Sequence, residues 1–200
     1  MKIGFISLGC SKNTIDTEMM LSHLDDARFQ ITGDANDADV ILINTCGFIG
    51  DAKEESIATI KEVAKLKKTG KLKKLIVTGC LVERWRNNIL ERLPEIDAVT
   101  GLGGIHDIVE TVEKSLKTDK YAVFKNYEET PIEGERMLSD DSPAAFLRIS
   151  EGCDNRCSYC AIPKIRGRYR SRTIESIVEE ARDLESAGAK ELNLIAEDTS

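Results

Sequence analysis

Val40-Ile41-Leu42-Ile43-Asn44-Thr45-Cys46 is the stretch that decides the fold. Four consecutive aliphatic residues leave no polar face, so the segment predicts a strand buried on both sides, as in the middle of a parallel sheet. Working outward, residues 3–8 and 75–78 repeat the pattern. Residues 29–32 suit an edge strand, and Ala98-Val99-Thr100 forms a last short one. Between these runs, apolar residues recur at helical spacing: Met20, Leu21, Leu24 and Ala27, then Ile57, Ile60 and Ala64 before a stop at Gly70. Trp85, Ile89 and Leu93 follow, and Ile105, Ile108, Val109, Val112 and Leu116 mark a closing helix. Alternation of this kind predicts an open parallel α/β sheet over residues 1–118, with the flavodoxin-like strand order 2-1-3-4-5.

Residues 119–143 are acidic and carry Pro131, Gly134 and Pro143, which reads as a linker with 121–124 as a possible strand. A second α/β unit covers 144–200. Residues 146–149 and 192–195 are its strands, and Ile174, Ile177, Val178, Ala181 and Leu184 are its helix face, ending at Gly188. Two strands and one helix cannot close a barrel, so this unit is expected to be the start of a larger one.

With 41% hydrophobic residues, the 200-residue chain can bury a real core. No apolar run approaches the ~20 residues that span a bilayer, and the first ten residues are too short for a signal peptide. A cytoplasmic protein without membrane contact is expected. The formal net charge of −7 gives no strong nucleic-acid signal. It would suit a basic protein partner, or solubility alone.

Six cysteines are the informative count. Cys153-x₃-Cys157-x₂-Cys160 sets three thiolates on one tight loop. They can hold three corners of a cubane iron–sulfur cluster, and with no Cys or His nearby the fourth iron stays open. A structural zinc site wants four protein ligands, usually as two pairs. Cys10, Cys46 and Cys80 each follow a predicted strand. In the 2-1-3-4-5 order those strands are neighbours, so the three loops start within ~10 Å of one another at ~4.8 Å per strand. Each cysteine precedes a helix, whose N-terminus favours a thiolate. Gly9, Gly47 and Gly79 let the chain turn beside them. One strand-end cysteine is ordinary, whereas three at equivalent positions point to a second three-ligand cluster. Arg156, Lys164, Arg166, Arg168, Arg170 and Arg172 flank the cysteine loop. They meet either the carboxylate of a cofactor or substrate, or only solvent.

Several stretches spread over essentially the whole chain resemble the radical S-adenosylmethionine methylthiotransferase family. They are residues 7–13 with Asp16 and Glu18, 44–49, 78–80, 149–153, 160–163, Arg166-Gly167 and Ser171-Arg172. Gly9-Cys-Ser-Lys-Asn13, Cys46-Gly-Phe-Ile49 and Glu197-Asp-Thr199 look most like the branch that modifies an aspartate of a small-subunit ribosomal protein; Ser11 stands where that branch usually has proline. The resemblance implies a radical barrel for the second unit and two 4Fe-4S clusters, on Cys10, Cys46 and Cys80 and on Cys153, Cys157 and Cys160. In such an enzyme the second cluster binds S-adenosyl-L-methionine and an external electron donor reduces it. The resulting radical takes hydrogen from the aspartate β-carbon, and the first cluster supplies or presents the sulfur. The alternatives are a tRNA-adenosine methylthiotransferase and a non-enzymatic zinc or iron–sulfur module.

Overall fold

The computed structural model describes residues 1–139 and 142–199. Its main sheet has six parallel strands: β1 (Lys2–Ser7), β2 (Gln30–Thr32), β3 (Val40–Thr45), β4 (Lys74–Gly79), β5 (Ala98–Thr100) and β6 (Tyr121–Val123). Their order is β2-β1-β3-β4-β5-β6, the expected arrangement with one strand added at the far edge. All six residues of β3 are buried. Because successive side chains point to opposite faces, Val40 and Leu42 enter one core, and Ile41 and Ile43 the other. Helices α1 (Ser11–Asp26), α2 (Gly50–Ala64), α3 (Cys80–Trp85), α4 (Ile89–Arg92) and α5 (Ile108–Lys117) cover the two faces.

Several local expectations change. Residues 121–123, placed within the linker, pair with β5 in the register Ala98↔Tyr121 to Thr100↔Val123. The helix expected through Trp85, Ile89 and Leu93 is broken. Arg86 takes φ 36°, and Arg86–Asn88 forms a 3₁₀ turn between α3 and α4, where two asparagines weaken helical propensity. Ala27 caps α1 and is exposed. Leu116 is 40% exposed, while Ser115 is fully buried and donates to the Val112 carbonyl at 2.6 Å. At 3.6 residues per turn, position 116 lies roughly 80° around the helix from Ile108, whereas 115 lies nearly beneath it.

The second unit has β7 (Ala144–Arg148) paired in parallel with β10 (Glu191–Ile195), and a short antiparallel pair, β8 (Ser150–Glu151) with β9 (Arg170–Ser171). Its helices are α6 (Ile162–Ile165) and α7 (Ile174–Ser186). Leu184 packs on Ala145 and Leu147, with Ile177 and Ala181 beside it. The other part of the expected α7 face is open: Ile174 is 76% and Val178 40% exposed. Among the described residues no helix is long and apolar enough to cross a membrane.

A dry ionic cluster joins the two units. Helix α1 is buried at every residue from Ile15 to Leu21, its charged side chains included. Asp16 receives Arg148 at 2.6 Å and Arg166 at 2.9 Å, and both guanidiniums also reach Glu151 at 3.0 Å. Two residues along, Glu18 binds Arg136 at 2.6 Å, and Arg136 also binds Glu180 of α7 at 2.5 Å. The two acids and two arginines of the first cluster balance, which is the condition for burying them at all. Removing one member leaves a bare charge, so Asp16→Ala and Arg148→Ala should each lose about 3–5 kcal/mol. The double variant should lose clearly less than the sum. Urea denaturation of the four proteins measures this, and additive losses would contradict the cluster's role.

Candidate metal centres

Cys10 is the N-cap of α1, Cys46 directly follows β3, and Cys80 opens α3 directly after β4. Because β1, β3 and β4 are adjacent, the three cysteines line one cavity of about 490 Å³ at the carboxyl end of the sheet. The backbone there has no room to spare. Gly79 has φ +96°, and a Cβ on it would lie 2.3 Å from Asn44 Oδ1. A Cβ on Gly47 would lie 2.7 Å from the Leu81 backbone.

Asn13 ties these loops together. Its Nδ2 donates to the carbonyls of Leu8 (2.8 Å) and Thr45 (3.1 Å), and its Oδ1 accepts from Arg166 at 2.9 Å. Cys80 Sγ lies 3.8 Å from that same Oδ1. Ser56 holds the Cys46 peptide from both sides, accepting from its N–H at 3.1 Å and donating to its carbonyl at 2.9 Å. Neither Asn13 nor Ser56 stood out by composition or spacing; Asn13 entered only through the resemblance.

Cys153, Cys157 and Cys160 lie on the loop after β8 and line a second cavity of about 380 Å³. The loop starts at Gly152 with φ +75°, where a Cβ would fall 2.1 Å from the Arg168 carbonyl. The Cys153 N–H donates to Gly167 at 3.2 Å and Cys160 N–H to Cys157 at 3.0 Å. Asn155 donates to Asp198, beyond β10, at 2.7 Å.

The two cavities are back to back. Ile162 and Arg166, at the two ends of α6, line the first, and Pro163 and Lys164 line the second. Beyond β10, Glu197 lines the first cavity, while Asp198 reaches the loop of the second.

Among the described residues no three His, Cys, Asp or Glu side chains converge on a single ion. A zinc ion requires such convergence, at ~2.3 Å from each sulfur. A cubane cluster does not, because each thiolate binds its own iron. Both trios, each lining a cavity, therefore fit a cluster. His23 and His106 bond each other at 3.1 Å and line neither cavity.

One expectation about charge needs correction, and one open reading divides. The helix N-terminus does not govern Cys80. Burial pushes its thiol from 9.0 to about 11, with Asp16, Cys10 and Cys46 adding to the rise and only Arg166 opposing it. A metal must therefore displace a proton there. The flanking cations are also not one group. Arg166 and Arg172 are interior and ion-paired, Arg170 lies over the Tyr127 ring, and Arg168 pairs with Asp154 at the surface. Arg156 and Lys164 remain exposed, on the wall of the second cavity.

Residues 2–101 match the model of the Uncharacterized protein family UPF0004, and residues 147–200 match the Radical SAM superfamily. The chain belongs to the UPF0004 family. Among curated relatives, it is 49% identical over 201 residues to Ribosomal protein uS12 methylthiotransferase RimO of Lachnoclostridium phytofermentans, covering 100% of this chain and 46% of that protein. It is 51% identical over 199 residues to the protein of the same name from Thermoanaerobacter sp., covering 99% and 45%. The chain spans about half the length of the curated relatives it matches, and the resemblance to the radical S-adenosylmethionine methylthiotransferases is borne out. Among solved structures, TsrM from Kitasatospora setae, a radical S-adenosylmethionine methyltransferase, superposes with TM-score 0.59 at 13% identity, covering 98% of this chain and 48% of that one. That likeness shows a shared fold.

Exposure and proton affinity predict an order of thiol reactivity in the metal-free protein. Cys10 and Cys157 are exposed, whereas Cys80 and Cys153 are buried. Two units of pKa leave Cys80 roughly a hundredfold less thiolate than an ordinary cysteine. Iodoacetamide at pH 7, followed by peptide mass spectrometry, should modify Cys10 and Cys157 first and Cys80 last. Equal rates at Cys10 and Cys80 would contradict the packing described.

Proposed function

We propose that this chain is the cluster-bearing front of a cytoplasmic radical S-adenosylmethionine methylthiotransferase acting on the β-carbon of an aspartate in ribosomal protein uS12. The observation that carries the reading is the pair of cysteine-lined cavities sharing α6 as a wall. A radical-forming site and a sulfur-holding site must both reach one substrate carbon, and this arrangement sets them side by side. The names of the relatives support the substrate and the reaction.

Cys153, Cys157 and Cys160 would hold one [4Fe–4S] cluster and Cys10, Cys46 and Cys80 the other. When bound, the clusters together with S-adenosylmethionine and an external electron donor supply the radical, the sulfur and the methyl group. The rest is the work of the polypeptide. Asn13 fixes the loops after β1 and β3 against one another, so Cys10 and Cys46 keep one spacing. Gly152 turns the second loop tightly enough to bring Cys153 under the Gly167 carbonyl. The cluster of Asp16, Arg148, Glu151 and Arg166 sets the distance between the two sites. Phe48 and Ile49, 43% and 55% exposed, give the first cavity an apolar lip that limits water near the reacting sulfur.

The division of labour can be read on single variants of the full-length enzyme, reduced anaerobically with S-adenosylmethionine, sulfide and a uS12 peptide. Cys46→Ala should still release 5′-deoxyadenosine but form no methylthiolated peptide. Cys157→Ala should lose both products. Release of 5′-deoxyadenosine that depends on Cys46, with the second cluster intact, would contradict the proposal. Methylthiolation of a tRNA adenosine instead of the peptide would overturn the substrate assignment.

A further inference from the structure

Glu197 is a wall residue of the first cavity that the cysteines do not account for. It stands just past β10, in the unit opposite the three strand ends, and its side chain is 6% exposed. No N–H or hydroxyl donor reaches either carboxyl oxygen, and its hydrogen-bonding neighbour is the Glu151 carboxyl. The cations within reach stand off, Lys12 Nζ at 3.6 Å and Arg166 Nε at 3.9 Å, beyond hydrogen-bonding distance. A buried carboxyl that no cation or amide satisfies is costly, and this fold keeps one lining a cavity.

The neighbours explain how it is tolerated and what it lacks. Arg148 and Arg166 are committed to Asp16 and Glu151. Although burial opposes it, those two guanidiniums hold Glu151 down to about 2. Burial and the adjacent Glu151 carboxylate push Glu197 up to about 8. Glu197 and Glu151 meet carboxyl to carboxyl, which engages one Glu197 oxygen. One Glu197 oxygen is then left over as an acceptor, with the Lys12 ammonium beside it. An acceptor next to a cation, across from three sulfurs, suits a small anion that carries a proton of its own.

We propose that Glu197 and Lys12 form the binding subsite for hydrosulfide in this cavity, Lys12 attracting the anion and the free Glu197 oxygen accepting its S–H. The proposal rests on the reading that this cavity serves sulfur transfer, and adds the residues of the opposite wall that seat the sulfur. It also gives the joint between the two units a chemical role: the pocket is complete only when the end of β10 meets the strand ends of the main sheet.

The test uses the full-length enzyme with Cys153, Cys157 and Cys160 replaced by Ala, so that any remaining cluster is the one on Cys10, Cys46 and Cys80. Sodium sulfide is titrated anaerobically while the electron paramagnetic resonance of the reduced cluster is followed, with iron content measured in every sample. Glu197→Leu should keep its iron and need at least about tenfold more sulfide for half-effect, the worth of one hydrogen bond to a charged partner. Glu197→Gln, which keeps an acceptor oxygen, should stay within about threefold. If Glu197→Leu fails to hold iron, the parent protein gives the reading instead. Its sulfide-treated spectrum should show an exchangeable proton by ENDOR in H₂O against D₂O, and Glu197→Gln should shift that coupling. Equal sulfide response in iron-loaded Glu197→Leu, or no shift of the coupling in Glu197→Gln, overturns the role of Glu197 and leaves the sulfur-transfer reading standing. No sulfide response in the parent protein overturns both.

Discussion

Two guanidiniums and two carboxylates, all but withdrawn from water, hold the two units of this molecule in one arrangement. Asp16 comes from the first helix of the sheet unit, and Arg148, Glu151 and Arg166 come from the strands and loop of the second. Four charges are expensive to bury and tolerate little error in geometry. The same expense makes the joint specific: a shifted interface would strand at least one of them. Arg166 carries the constraint into the site, because it also donates to Asn13, which braces the loops of Cys10 and Cys46. Spacing between the two cavities, spacing among the cysteines and the docking of the two units are therefore one problem with one solution.

Glycine sets the other boundary. At Gly79 and Gly152 the backbone enters the left-handed region, and at both a Cβ would strike neighbouring oxygen within 2.3 Å. These positions place Cys80 and Cys153 at the start of their cavities, where any side chain would push the loop outward. The cost of a tight turn is thus met directly beside these cysteines, on an otherwise regular sheet.

Much of this was legible in the sequence. The aliphatic run at 40–43 and its echoes near 3–8 and 75–78 predicted a parallel sheet, and strand adjacency then predicted that Cys10, Cys46 and Cys80 would share one cavity. What periodicity could not show was the polar side of burial. Asp16 entered only through the resemblance, Arg166 was left between a carboxylate and solvent, and Arg148 drew no reading, because their partners lie on the other unit. Glu197 belonged only to a family motif, and nothing local told that it would face the strand-end cysteines. Ser115 and Leu116 exchanged places for a simpler reason, because adjacent helical positions differ by about 100° and a face drawn through apolar residues alone missed the true axis. Cys80 illustrates competition between effects: a helix start lowers a thiol's proton affinity modestly, and full burial outweighs it.

The central claim is that the six cysteines form two independent cluster sites. Iron and acid-labile sulfide analysis with Mössbauer spectroscopy, on anaerobically reconstituted full-length protein, tests it most directly. About eight irons per chain are predicted, in two cubane clusters. Replacing Cys10, Cys46 and Cys80 by Ala should leave about half, and so should replacing Cys153, Cys157 and Cys160. Loss of all iron from a folded variant of either trio, or tight zinc in place of iron at both, would contradict the account.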